Sequence, residues 1–191
     1  MKRFSQFLLS RRGQWAYGST ILLLLLLVGI AFATNRVCIH RPPATPAHLN
    51  WLANSIRSFE VEYGKPPDVQ NLDFETEGPQ AVKFLTILLG KEDTGPEMQN
   101  PRQVAFLTAR NTKNRKMGGL VYNSPENKIQ GMYDAWGNPL RVILRPPGKV
   151  ATTISYRGKQ LASYQPAVVL SRGPDQQWGT EDDLISASDE R

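Results

Sequence analysis

From Ala16 to Ala33 the chain carries no charged residue, and six consecutive leucines, Leu22 to Leu27, fill the middle of that run. A helix needs about 20 apolar residues to cross a bilayer core. The run therefore predicts a membrane-spanning helix over 15–34. The pattern then changes character. Leu49, Leu52, Ile56, Phe59 and Tyr63 recur at three- and four-residue steps, with Arg57, Glu60 and Glu62 off the stripe. One apolar stripe with polar flanks is an amphipathic helix. Thr45-Pro46 reads as its N-cap and first helical position. Gly64 reads as its left-handed stop, and Pro66-Pro67 bars a restart.

A second helix is predicted from about Pro79 to Leu89, with Val82, Leu85, Ile87, Leu88 and Leu89 as its apolar face and Gly90 closing it. Lys91 to Arg102 reads as loop, with Gly95-Pro96 and Asn100-Pro101 as breakers. Val104, Phe106 and Leu107 form a short buried piece, and Arg110 to Gly119 a polar loop. After that the apolar residues cluster in short β-prone runs. Ile129 to Tyr133 and Leu140 to Leu144 flank Asp134-Ala135-Trp136-Gly137-Asn138-Pro139, the signature of a hairpin. Thr152 to Tyr156 and Ala167 to Leu170 read as further strands. A sheet of three or four strands needs cover on one face, and the amphipathic helix is the element to supply it. The fold class is therefore α+β: an N-terminal transmembrane helix, then an amphipathic helix packed on a small C-terminal antiparallel sheet. The chain divides into a basic segment 1–14, the membrane helix 15–34, a linker 35–45 and a folded domain 46–191.

Charge sharpens the topology. Lys2, Arg3, Arg11 and Arg12 precede the apolar run, and no acidic residue occurs before Glu60. Positive charge on the near side predicts a cytoplasmic N-terminus and an exported domain. Ala31-Phe32-Ala33 also resembles a secretory cleavage site. The apolar run is longer than a usual signal core, which favours a retained helix. The net charge of +6 shrinks once those four residues are set aside, leaving 19 basic against 17 acidic residues. That balance is no nucleic-acid footprint. Cys38 is the single cysteine, so the chain forms no internal disulfide.

The chain holds no Ser-His-Asp set, no phosphate-binding loop and no Cys-His metal spacing. Glu181 and Asp182 lack an apolar pocket to split their acidities, so an enzyme is not expected. The stretch Ser171 to Leu184, SRGPDQQWGTEDDL, is the chemically dense one. Asp175 lies seven residues before Asp182 and eight before Asp183, and Gly173-Pro174 and Gly179-Thr180 supply tight turns. Calcium takes six to eight oxygens from carboxylates, carbonyls and water. Asp175, Asp182 and Asp183, with oxygens from Ser171 and Arg172, could build such a cage. The same residues also make an ordinary polar turn whose side chains cap local backbone groups.

Three motifs in order resemble the major, G-type pseudopilin of type II secretion systems, within the type IV pilin-like group. The helix end IRSFEVEYGKPP matches at Ile56, Phe59, Tyr63, Gly64 and Pro67. The turn matches at Asp134, Trp136, Gly137, Asn138 and Pro139. The last loop matches at Ser171, Gly173, Asp175, Gly179, Asp182 and Asp183. The resemblance implies a pilin-like fold and a calcium ion held by the last loop, through Asp175, Asp182, Asp183, Ser171 and Arg172. It implies a single-pass inner-membrane protein with a periplasmic domain, a structural subunit that assembles with other pilin-like subunits or copies of itself. It also implies processing after Gly13, which would leave Gln14 as the first residue. Gly18 stands where that family carries a glutamate, and Pro42-Pro43 interrupts what would be one long helix. An alternative follows: a membrane-anchored, exported binding domain with the same fold that does not polymerise.

Overall fold

The computed structural model describes residues 44–123 and 128–186. The expected membrane helix 15–34, most of the linker, Cys38, and Gly13 and Gln14 lie outside the described residues. Among the described residues no helix is long and apolar enough to cross a membrane.

The described chain is α+β. Helix α1 spans Ala44–Tyr63, strand β1 Asp73–Glu75 and helix α2 Pro79–Leu88. Strand β2 (Asn111–Thr112), a 3-10 turn (Arg115–Met117), β3 (Gly119–Asn123) and β4 (Lys128–Tyr133) follow. Then come β5 (Arg141–Leu144), β6 (Thr152–Tyr156), β7 (Lys159–Ser163), β8 (Ala167–Ser171) and β9 (Leu184–Ile185). Three sheets result, ordered β1-β5-β8-β9, β2-β3-β4 and β6-β7. Their pairings are antiparallel except for the two-residue β2–β3 contact.

The expected stripe of α1 is its buried face. Leu49, Leu52, Ile56 and Phe59 lose essentially all exposure, and Tyr63 packs at the margin. The helix lies on β8 and β9, as the sequence predicts, while α2 covers β4. Gly64 adopts φ +74° and its N–H donates to the Glu60 carbonyl at 2.7 Å, closing α1 in the left-handed cap. At the other end the expectation needs correcting. The helix already includes Ala44, and Thr45 does not cap it. The Thr45 hydroxyl is buried and accepts the Ala135 N–H at 3.2 Å, tying the first turn to the Trp136 turn. In α2, Ala81 and Phe84 join Leu85, Ile87 and Leu88 in the core, whereas Val82 and Leu89 stay at its edge.

Both faces of the four-stranded sheet are covered. Val142, Leu144, Ala167, Val169 and Leu184 point into the core under α1. Their neighbours Ile143, Val168, Leu170 and Ile185 point the other way, against Ile154, Tyr156, Leu161 and Trp178. That is strict period-two alternation with two buried faces. It explains why β8, Ala-Val-Val-Leu-Ser, is buried at every position and reads as an unbroken apolar run.

The expected hairpin around Trp136 does not form, because another strand is spliced into it. Strand β1 pairs with β5, and the chain continues through Thr76 and Glu77 onto β4, where Glu77 bridges Gly131. The Thr76 N–H donates to the Leu140 carbonyl at 2.7 Å, and its hydroxyl accepts the Leu140 N–H at 2.8 Å. The same hydroxyl donates to the Met132 carbonyl, and the Met132 N–H reaches the Thr76 carbonyl at 3.0 Å. One threonine thus occupies the pairing positions that β4 and β5 would have offered each other. Only Tyr133 and Pro139 bridge directly. Strand β6 likewise lies outside the main sheet. It pairs with β7 through the turn Arg157-Gly158, both residues at positive φ, as a two-residue hairpin demands.

Candidate functional site

The residues flagged in the last loop sit where β8 ends, beside the Trp136 turn. Asp134 organises the junction. Its carboxylate is fully buried and accepts four hydrogen bonds: the Trp136 N–H at 2.9 Å, the Asn138 N–H at 2.8 Å, Asn138 Nδ2 at 3.0 Å and Ser171 Oγ at 2.7 Å. Asn138 Nδ2 also donates to the Gly173 carbonyl at 2.8 Å, and Ser171 Oγ accepts the Gly173 N–H at 3.1 Å. Two segments 37 residues apart therefore form one polar knot. Inside a protein each of these groups would be costly to leave unpaired.

From that knot the loop turns back on itself. Gly173 adopts φ +64°, and a Cβ there would collide with the Asp182 carbonyl oxygen. The two ends of the loop are that close. Asp175 caps a local turn by accepting the Gln177 N–H at 3.0 Å. Trp178 packs on the outer sheet face, with the guanidinium of Arg172 5.5 Å and that of Arg141 5.7 Å from its ring. Arg141 pairs with Asp73 at 2.6 Å and Arg172 with Glu75 at 2.8 Å, so both cations are anchored to the edge strand β1. The loop's exit is held by the β6–β7 hairpin. The Asp183 carbonyl accepts Tyr156 Oη at 3.2 Å and two guanidinium nitrogens of Arg157 at 3.2 and 3.0 Å.

The Asp183 side chain is different. It is buried, and Oδ2 accepts the Gly179 N–H at 2.7 Å, but Oδ1 is shielded from solvent without a donor. Thr180 Oγ1 is shielded and unpartnered too. Burial pushes the Asp183 carboxyl above its ordinary range. The Gly179 hydrogen bond opposes that shift, the Asp175 charge reinforces it, and the Arg157 guanidinium opposes it again. Asp175 and Asp183 are thus near enough to repel.

The structure brings together some of the flagged residues and engages others elsewhere. Asp175, Asp182 and Asp183 share one folded loop. The Ser171 hydroxyl is committed to Asp134, and the Arg172 guanidinium to Glu75, so only their main-chain oxygens remain for another partner. Among the described residues no group of three or more His, Cys, Asp and Glu side chains stands ready as a metal cage. Asp183 and Asp175 would need oxygens from Thr180, the main chain and water, which calcium accepts. On the strength of a desolvated anionic oxygen with no donor, the loop's donor set fits a hard cation.

The chain matches no protein-family model, no curated protein and no solved structure.

Sequence spacing does not reveal Asp134, Asn138, Tyr156 and Arg157 as partners of the last loop. Their signals are weak and local: an Asx turn for Asp134 and a two-residue hairpin at Arg157-Gly158. What brings them to the loop is the meeting of distant segments.

Proposed function

We propose that this chain is a pseudopilin-like structural subunit of a type II secretion-type apparatus, anchored in the inner membrane by its N-terminal apolar helix. Its exported, pilin-like domain is closed at the last loop by calcium. The observation that carries the reading is the knot at Asp134. The Asp-x-Trp-Gly-Asn-Pro turn and the start of the SRGPDQQWGTEDDL loop, two of the three motifs behind the resemblance, are hydrogen-bonded to each other through Asp134, Asn138, Ser171 and Gly173. Packing of α1 on β8 and β9 agrees with the same architecture.

In this reading Asp183 and Asp175 hold the ion, with Asp182, Thr180 and main-chain oxygens of Ser171 and Arg172 as further donors. The metal neutralises two carboxylates that otherwise repel in a partly dry site. Its binding energy becomes folding energy for the loop. The role is structural, and the partners are other pilin-like subunits or further copies of the chain.

A second reading has its own observation. Gly18 replaces the glutamate expected in the membrane helix, which favours an anchored domain that does not polymerise. Mass spectrometry of the native N-terminus, with identification of copurifying envelope proteins, separates the two. Gln14 as first residue together with pilin-like partners supports the filament subunit. An intact Met1 without such partners supports the monomeric anchor. Calcium is tested separately by melting the full chain in detergent with millimolar calcium or with chelator. At a hundred-fold excess over Kd, linkage stabilises by about 2.7 kcal/mol, and an unchanged Tm would remove the ion from the proposal.

A further inference from the structure

A second surface is built beside the Trp136 turn and the first turn of α1. The 3-10 turn Arg115–Met117 packs there. Gly118 lies so close to His48 that a Cβ would touch the imidazole, and Gly137 backs onto Lys116. Thr45, at the start of α1, accepts the Ala135 N–H of the same turn. Around this point the surface is basic. Arg110, Lys113, Arg115 and Lys116 are all exposed. Arg115 pairs with Glu77 at 2.6 Å, while Arg110, Lys113 and Lys116 have no carboxylate partner among the described residues.

Two large apolar side chains are exposed within the same patch. Met117 is 50% exposed between the cations, and Trp51 is 44% exposed, its ring 5.3 Å from that of His48. Trp51 and Arg110 line one groove of about 520 Å³. Unpaired cations around an accessible tryptophan and methionine are the chemistry of a bilayer interface. The ring and thioether enter the headgroup layer while the cations meet lipid phosphates. Placement supplies the remaining reason. The apolar run ends at Ala33 and α1 begins at Ala44. The chain between them reaches at most about 3.5 Å per residue, so a tether of some ten residues keeps the start of α1 near any membrane holding that run.

We infer that Trp51, Arg110, Lys113, Lys116 and Met117 form a docking surface for anionic phospholipid headgroups, which seats the domain on the bilayer that anchors it. The inference rests on the reading of 15–34 as a membrane anchor and is independent of calcium and of polymerisation.

The test uses the full chain carrying C38S and M117C, labelled at the new thiol with an environment-sensitive dye. It is reconstituted into vesicles of zwitterionic phospholipid alone or with anionic phospholipid added. Expected is a blue shift of the dye, with quenching by a headgroup-level quencher lipid, in anionic vesicles only. Both signals should vanish in about 1 M salt, where the screening length is about 3 Å, and in a K113Q/K116Q variant whose melting is unchanged. Flotation of the same vesicles reports the anchor. A chain that floats with both vesicle types while its dye stays silent overturns the docking surface and leaves the anchor standing. A dye response of equal size in both lipids overturns recognition of anionic headgroups. No flotation with either lipid overturns both readings. A silent dye in vesicles that responds to a polyglutamate peptide reassigns the surface to an acidic protein partner and overturns the proposal.

Discussion

Asp134 and Asp183 are both buried carboxylates in the same corner of the molecule, yet they live in opposite circumstances. Asp134 accepts four hydrogen bonds and has nothing left to satisfy. Asp183 accepts one, faces the charge of Asp175, and keeps one oxygen dry and without a donor. The same contrast separates the two faces of the main sheet. Under α1 the cover is a helix with a continuous aliphatic and aromatic stripe, held chiefly by apolar burial. On the other face the cover is a hairpin and an irregular loop, pinned by Trp178, by main-chain bonds to Arg157 and by the knot at Asp134. A finished carboxylate is a structural part of a fold. An unfinished one can be completed by a proton or by a cation.

The sharpest break in this comparison is at Asp134. Replacing it by alanine strands the Asn138 main-chain N–H and the Ser171 hydroxyl, each now buried without its acceptor. The expected loss is about 3 kcal/mol or more, read by denaturant unfolding. It should be equally large with calcium or with chelator.

Asp183 should behave in the reverse way. Its folded-state pKa is raised above the ordinary 3.8, burial being the first cause. The sign follows from linkage: its contribution to stability is fully present below that value and is lost as pH rises through the raised one. Asp183→Asn removes the charge and keeps an oxygen for the Gly179 N–H. In chelator at neutral pH the variant should melt no lower than the parent. In calcium it should lack the rise in Tm expected of the parent. A variant that melts well below the parent in chelator would place Asp183 with Asp134, as a finished structural group.

The smallest expected effect is at His48, which touches the same corner from α1. Its imidazole is 2% exposed and Nδ1 has no partner. Burial lowers its pKa below the ordinary 6.5, the charge of Asp134 opposes that shift, and Arg110 adds to it. A lowered value in the fold means stability that is present above 6.5 and is lost as pH falls through the lowered value. Tm should therefore decline on acidification below that point, and His48→Gln should flatten that part of the profile. The calcium-induced rise should survive the substitution, because His48 belongs to the helix side of the comparison.

The buried stripe of α1 and its Gly64 stop are legible because they are local chemistry, whereas its start is not, Thr45 being drawn to the distant Ala135. The existence and extent of α2 and of β8 are legible too, but Ala81 and Phe84 replace Val82 and Leu89 on the buried face of α2, and the second cover on β8 comes from the distant β6–β7 hairpin and Trp178. Failures occur where one segment depends on another. Two runs around Asp134 to Pro139 carry every local mark of a hairpin, and they part because Thr76, more than fifty residues upstream, takes their hydrogen-bonding positions. Strand β7, Lys-Gln-Leu-Ala-Ser, has no apolar alternation strong enough to announce itself and exists because β6 pairs with it.

The last loop divides along the same line. Its turns and its carboxylates follow from residue type: glycine at positive φ, aspartate at turn starts, acid at a spacing of seven and eight. Which carboxylate would be satisfied and which left open is not local. That depends on Ser171 reaching across to Asp134, on Arg157 spending its guanidinium on a main-chain carbonyl, and on Gly179 offering a single N–H to Asp183. Periodicity and turn chemistry act over a few residues and can be read in one dimension. Desolvation and hydrogen-bond accounting depend on what else arrives at the same point in space, and that is settled when the chain folds.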